Sequence, residues 1–150
     1  MKFSESITIN SQAERIFDFT QDYNKRLSWD TFLTQAYLLD GAIQPMKGVK
    51  AWCVAKNGLG METEYVSFNR PNVSAIKMTK GPYMFKDFAA SWIFSEESTS
   101  ATTVTFTYSF RLRFPYSIGG LLIRFVLQRN VKQRLRDLRK NIEQRSTDLK

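Results

Sequence analysis

The sequence predicts an α+β fold in which a curved antiparallel sheet of about seven strands packs against two short helices and one long C-terminal helix. The middle of the chain consists of short segments with the two-residue period of β-strands, separated by tight turns. After Pro115 the apolar residues recur at steps of three and four, which is typical of a helix. We expect all 150 residues to form one domain, because no linker, repeat or low-complexity segment divides them.

The N-terminal part predicts a strand followed by two short helices. Apolar and polar residues alternate from Lys2 to Ile9, the period of a half-buried strand. Asn10 or Ser11 can then serve as the N-cap of a helix, and Glu14 follows Ser11 by the spacing of a capping box. A second short helical turn is expected around Asp22 to Leu27.

A run of strands fills the middle of the chain. The predicted strands are Phe32 to Leu39, Val49 to Lys56, Met61 to Phe68, Val73 to Lys80, Tyr83 to Phe94 and Thr103 to Arg113. Between the second and third of these, Asn57-Gly58 predicts a type I′ hairpin turn, in which both central residues have positive φ. The polar residues 95–100 predict a loop. Because the turns are tight, we expect strands that are neighbours in sequence to pair.

One long helix is predicted from about Ser117 to Arg145, with a length on the order of 40 Å. Its apolar stripe consists of Ile123, Leu127, Val131, Leu135, Leu138 and Ile142. The first turns are apolar on nearly every side, whereas the second half is amphipathic and basic. The stripe indicates that the helix lies across the sheet.

The net charge is +8, and most of the excess lies in the C-terminal segment. These basic residues could attract an anionic surface, or they could simply be the solvated face of the helix. Together with the apolar start of the helix, they suggest a transient contact with an anionic membrane. A dimer contact or ordinary core packing would also explain the apolar start, since most apolar helical stripes are simply buried. No base-reading motif is present, which disfavours nucleic acid as a partner.

The residue content excludes several kinds of chemistry. Cys53 is the only cysteine, so no intramolecular disulfide can form, and the chain contains no histidine. Ser-His and Cys-His nucleophile systems are therefore excluded, and neither a metal nor another cofactor is expected. The first ten residues lack the apolar core of a signal peptide, and the longest apolar stretch is far shorter than the ~20 residues of a membrane-spanning helix. We expect a soluble, cytoplasmic protein.

Several short segments along the whole chain are landmarks of one known family. They are 6–9 with 13–19, Trp29, Pro45-Met46-Lys47-Gly48, Trp92-Ile93-Phe94 and Val131 to Ile142. In these segments and in the order of its elements, the chain resembles the START-like or Bet v 1-like (SRPBCC) superfamily, and most of all its bacterial polyketide cyclase/dehydrase and lipid-transport branch. The resemblance implies a helix-grip architecture with a cavity between the sheet and the long helix. Members bind lipids, sterols, polyketides or other apolar molecules, and some catalyse cyclisation.

Such a cavity would be lined mainly by aromatic and other apolar side chains, with a few hydroxyl and indole groups to orient a ligand. The candidate ligand-binding residues are Trp29, Tyr65, Met78, Phe88, Trp92, Phe106, Tyr108 and Phe125. The expected function is binding, or transport, of a hydrophobic small molecule or lipid. The alternative is an aromatase/cyclase-like enzyme that acts on a polyketide-type substrate.

The sequence identifies no catalytic set. Glu62 and Glu64 share one face of a strand, where they could form an acid–base pair or simply be exposed. Arg111 and Tyr108 could bind a polar ligand head, or they could be an exposed strand residue and a core residue.

Overall fold

The computed structural model describes residues 1–148 and has the predicted α+β helix-grip architecture. The strands are β1 (Lys2–Ile9), β2 (Leu33–Leu38), β3 (Lys50–Ala55), β4 (Gly60–Asn69), β5 (Val73–Lys80), β6 (Phe85–Ser98) and β7 (Ala101–Leu112). The helices are α1 (Ala13–Gln21), α2 (Arg26–Trp29) and α3 (Gly120–Asp148), and a 3₁₀ turn at Tyr116–Gly119 precedes α3. No helix among the described residues is both long and apolar enough to cross a bilayer.

The strands form one curved antiparallel sheet in the order β1-β7-β6-β5-β4-β3-β2. From β2 to β7 each strand pairs with its neighbour in sequence, so the predicted pairing of consecutive strands is confirmed. β1 is the exception, because it pairs with β7 in a register that sets Phe3 opposite Tyr108. This pairing brings the beginning of the chain beside the strand that leads into α3.

The core lies between the concave face of the sheet and the helices. Along β7 the side chains alternate between buried and partly exposed, and β6 has the same alternation. The buried side chains of these two strands are Phe85, Phe88, Ala90, Trp92, Phe94, Thr102, Val104, Phe106, Tyr108 and Phe110. The second half of α3 covers them with the predicted stripe, of which Val131, Leu135, Leu138 and Ile142 are buried. The first half of α3 is much more exposed.

The predicted capping box at the start of α1 does not form. The N-cap residue is Gln12, and its side chain makes no capping hydrogen bond. Instead, the Ala13 N–H donates to Glu96 Oε1 over 3.3 Å, from the far end of β6. Ser11 is buried, and its carbonyl accepts a hydrogen bond from Thr102 Oγ1 at 2.8 Å. Contacts with the sheet thus replace the local cap that the spacing predicted.

The hairpin at Asn57-Gly58 is present, but its turn is not type I′. Only Gly58 has positive φ there (89°), and its N–H donates to the Ala55 carbonyl at 2.9 Å. The pair of positive φ values that a type I′ turn needs is found instead at Asp40 (57°) and Gly41 (74°).

The predicted loop at 95–100 is mostly strand. β6 continues to Ser98, and its last pair with β7 is Ser98 with Ala101. The polar side chains there are exposed, while the backbone groups still hydrogen-bond across the ladder. A polar segment can therefore extend a strand where both faces of the ribbon meet solvent.

Truncation of the helix–sheet contact should destabilise the fold. Leu138 of α3 is 0% exposed, so we expect Leu138→Ala to lower the free energy of unfolding by about 2–5 kcal/mol, through the lost burial and the cavity left behind. Urea unfolding followed by circular dichroism measures this change. The exposed neighbour Arg139 gives a control, and Arg139→Ala should have little effect. Equal stability of the two variants would contradict the described packing.

Candidate ligand-binding cavity

A cavity of about 390 Å³ lies between the concave face of the sheet and the first half of α3. Strands β3 to β7 form one wall, and the other wall comes from α3, the end of α1 and the start of α2. Most of its surface is apolar. Sheet curvature creates this space, because a straight helix cannot follow a curved sheet along its whole length.

Five of the eight candidate residues line this cavity: Tyr65, Phe88, Trp92, Phe106 and Tyr108. All five are buried, and they project from the concave faces of β4, β6 and β7. The ring centroid of Phe106 lies 4.5 Å from that of Trp92 and 4.8 Å from that of Tyr108. The two-residue period of the strands brings these side chains to one face.

The other three candidates lie outside the cavity wall. Trp29 is 1% exposed and packs edge-on against Trp92, with ring centroids 6.2 Å apart. Met78 is half-buried on β5 and packs at the edge of the core. Phe125 is 57% exposed, because it follows the cavity residue Ile123 by two positions, about 200° around the helix.

A buried ionic cluster, which the sequence analysis missed, forms one end of the cavity. Asp30, 0% exposed, lies between two arginines that line the cavity, Arg26 and Arg134. Arg134 binds both carboxylate oxygens, through Nε to Oδ1 at 3.1 Å and Nη2 to Oδ2 at 2.8 Å. Arg26 Nε donates to Oδ2 at 2.9 Å. Burial alone would raise the pKa of Asp30, but the charges of both arginines outweigh it and hold that pKa below its usual value.

The guanidinium of Arg134 makes three further contacts. It lies over the rings of Phe32 and Phe106, at 5.0 and 5.2 Å from their centroids. Its Nη1 donates to the Tyr108 hydroxyl at 2.7 Å. Burial raises the pKa of Tyr108 despite the neighbouring Arg134, so the phenol keeps its proton at neutral pH.

A second polar group, also missed, consists of a chain of hydroxyl and amide groups. The Tyr65 hydroxyl donates to Gln21 Oε1 at 2.9 Å and lies 2.9 Å from the Tyr23 hydroxyl. Since Tyr65 uses its own proton on Gln21, Tyr23 is the donor in the second bond. Burial raises the pKa of Tyr23 to about 12 and that of Tyr65 well above its usual value. Both phenols are therefore proton donors at neutral pH.

The other reactive groups suggest no further chemistry in the cavity. Cys53 lines it, but burial raises the pKa of the thiol, so the nucleophilic thiolate is disfavoured. Glu62 and Glu64 lie outside the wall, and Glu62 accepts a hydrogen bond from Thr79. Arg111 is exposed and pairs with Asp87, away from the cavity. Among residues 1–148, no cluster of three or more cysteine or carboxylate side chains could hold a metal ion.

One sequence signal could have identified the ionic cluster. Arg134 follows Val131 by three residues and precedes Leu138 by four, which places it on the apolar stripe of α3. A charged residue on a buried stripe needs a buried partner, and that requirement distinguishes Arg134 from the exposed basic residues around it. Its partner, Asp30, is distant in sequence and could not have been assigned from spacing.

The chain matches one protein-family model over nearly its whole length. A family model described as polyketide cyclase / dehydrase and lipid transport matches residues 1–143. No curated protein matches the sequence.

Solved structures with the same fold cover nearly the whole chain. A START superfamily protein from Mycobacterium smegmatis has a TM-score of 0.82 at 11% identity, over 95% of this chain and 97% of that one. An aromatase/cyclase from Streptomyces sp. R1128 has a TM-score of 0.80 at 15% identity, over 97% and 95% of the two chains. A major latex-like protein from Panax ginseng has a TM-score of 0.73 at 14% identity, over 94% and 96%. At these identities the structures establish a shared fold.

Removal of the buried carboxylate should destabilise the protein in a pH-dependent way. Asp30→Asn leaves two buried arginines without a counter-charge, so we expect a loss of about 3–5 kcal/mol in the free energy of unfolding at pH 7. Because the pKa of Asp30 is lower in the folded state than in the unfolded one, the carboxylate stabilises above its usual pKa and loses this effect as the pH falls through the folded-state value. The difference between wild type and variant should therefore narrow in acid.

Urea unfolding between pH 7 and pH 3 measures that difference. Asp18→Asn, which breaks an exposed pair with Arg70, serves as the control and should change stability little at either pH. A constant gap between wild type and Asp30→Asn across this range would show that the Asp30 carboxyl has the same pKa in the folded and unfolded states, which would contradict its described pairing with the two arginines.

Proposed function

Because the chain belongs to the polyketide cyclase/dehydrase and lipid-transport family, in the START-like superfamily that its sequence resembles, we propose that it binds a hydrophobic small molecule or lipid in the cavity between the sheet and α3. The observation that carries the proposal is the cavity of about 390 Å³ with mostly apolar walls. Apolar ligand surface transferred from water to such walls gains about 25 cal/mol per Å². The tyrosine hydroxyls and the arginines would orient the polar end of the ligand.

A second candidate function is an aromatase/cyclase-like reaction on a polyketide-type substrate. The observation in its favour is that Tyr108 and Arg134, which could polarise a ketone oxygen, lie side by side in the cavity. Ring closure through carbon also needs a base that removes a proton next to a ketone. No carboxylate is found among the described lining residues, and Asp30 is held by both arginines. We therefore favour binding over catalysis.

A neutral apolar probe tests the proposed cavity. We expect N-phenylnaphthylamine, whose fluorescence rises in apolar surroundings, to bind the wild type with one molecule per chain. Ala90 lines the cavity, so Ala90→Leu should fill part of it and weaken binding by about 10-fold or more. Ala89, the next residue on β6, projects to the opposite face, and Ala89→Leu is the matched control. Equal affinity of the two variants would place the probe elsewhere and contradict the proposal.

An exposed apolar surface adjoins the cavity at the start of α3. We define the mouth surface as Phe114, Ile118, Leu121, Leu122, Phe125 and Val126, with exposures between 48% and 78%. Leu122 and Val126 belong to both the mouth surface and the cavity wall. The exposed apolar surface is therefore continuous with the wall of the cavity.

We further propose that the mouth surface docks transiently on an anionic membrane. Leu121 and Phe125 are four residues apart, so both project from one side of α3. The exposed basic residues Arg129 and Lys132 follow them on the same helix. This arrangement suits the boundary of a bilayer, where apolar side chains insert and each cation near an anionic surface adds about 1 kcal/mol.

Liposome flotation tests membrane docking. The double variant Leu121→Ser with Phe125→Ser should lose most binding to vesicles that contain phosphatidylserine, while its thermal stability stays near that of the wild type because both residues are exposed. Vesicles of phosphatidylcholine alone should bind the wild type more weakly. Ile43→Ser, a change of an exposed apolar residue on a remote loop, is the control. Failure of the wild type to float at low salt, or dimerisation through this surface in sedimentation, would contradict docking.

A further inference from the structure

We infer that the ligand is an amphipathic carboxylate, whose anionic head binds between Arg26, Arg134 and Tyr108 while its apolar part fills the rest of the cavity. This inference rests on the proposed function and names the chemical class of the ligand.

The buried charges do not balance. Arg26 and Arg134 are 7% and 6% exposed and line the cavity, and Asp30 supplies the one carboxylate bound to them. Asp30 is not part of the cavity wall, and no described lining residue is acidic. The cluster therefore presents one net positive charge to an apolar cavity. Such a charge is costly to bury without a partner, and a ligand anion would neutralise it.

Hydrogen-bond donors in the cluster remain available. Tyr108 accepts a bond from Arg134 Nη1, and among the described residues its own hydroxyl proton has no acceptor. Arg26 uses Nε on Asp30 and Nη1 on the Thr20 carbonyl at 3.2 Å, whereas its Nη2 has no described hydrogen-bond partner. Two free donors beside a net positive charge match the two oxygens of a carboxylate.

The donors are held in place by the protein itself. Asp30 and two aromatic rings fix the Arg134 guanidinium, and the Arg26 guanidinium lies 5.1 Å from the Trp29 ring centroid. Because these contacts are made within the protein, a carboxylate would not have to order the side chains that bind it. Preorganisation of this kind increases affinity.

The class of head group is tested with ligands that share one apolar chain. Dodecanoate, dodecanol and dodecylamine differ only in the head, and their binding to the wild type at pH 7 is measured by displacement of N-phenylnaphthylamine. We expect dodecanoate to bind at least about 10-fold more tightly than dodecanol, since hydrogen bonds to charged groups are stronger than neutral ones. Dodecylamine should bind most weakly.

The Arg26→Met variant tests the role of the unbalanced charge. It removes one cation and leaves the two-point pair between Arg134 and Asp30, so the cluster becomes neutral. The preference for dodecanoate over dodecanol should then fall to about two-fold or less. Arg139→Met, which removes an equal charge from the exposed face of α3, should keep the wild-type preference.

The outcomes separate this inference from the proposed function. If dodecanol binds as tightly as dodecanoate, the anionic head group is excluded while ligand binding stands. If Arg26→Met keeps the full preference, binding of that head group at the cluster is excluded. If no compound displaces the probe and Ala90→Leu has no effect, the proposed function fails as well. Should Arg26→Met not fold, the ligand series on the wild type still decides the head group.

Discussion

The structure depends on the way a straight helix meets a curved sheet. Along its second half, α3 lies beside β1 and places its apolar stripe in the same core as the buried rings of β6 and β7. Along its first half the sheet curves away, so the same helix becomes the wall of a cavity and then an exposed apolar surface. The second half thus contributes buried side chains to the core, and the first half is left available for a ligand.

The ionic cluster links α2, α3 and β7 at one end of the cavity. Asp30 follows α2, Arg134 belongs to α3 and Tyr108 to β7, so their hydrogen bonds tie two helices to the sheet at one end of the cavity. An all-apolar contact could hold these elements with equal or greater strength. Unlike an apolar contact, the cluster presents oriented hydrogen-bond donors and an unbalanced positive charge to the cavity.

Most of the fold could be predicted from the sequence, because it follows from periodicity. The alternation of apolar and polar residues predicted the position of every strand to within a few residues. Five of the eight candidate side chains line the cavity because they project from the same face of the sheet. The capping box at Ser11 failed because long-range contacts with Glu96 and Thr102 replaced a local bond. Asp30 and Arg134 could not be paired in advance, since 104 residues separate them and no spacing rule joins a helix end to a distant helix.

The pairing of β1 with β7 has a consequence for synthesis. Phe3 lies opposite Tyr108, so the first strand has no neighbour until about 100 further residues have been made. At roughly 5–20 residues per second, that delay is on the order of 5–20 s, and the concave face stays uncovered until α3 follows. The nascent chain therefore leaves the ribosome with its most aromatic surface open, and closure is a late event that requires β7 and α3.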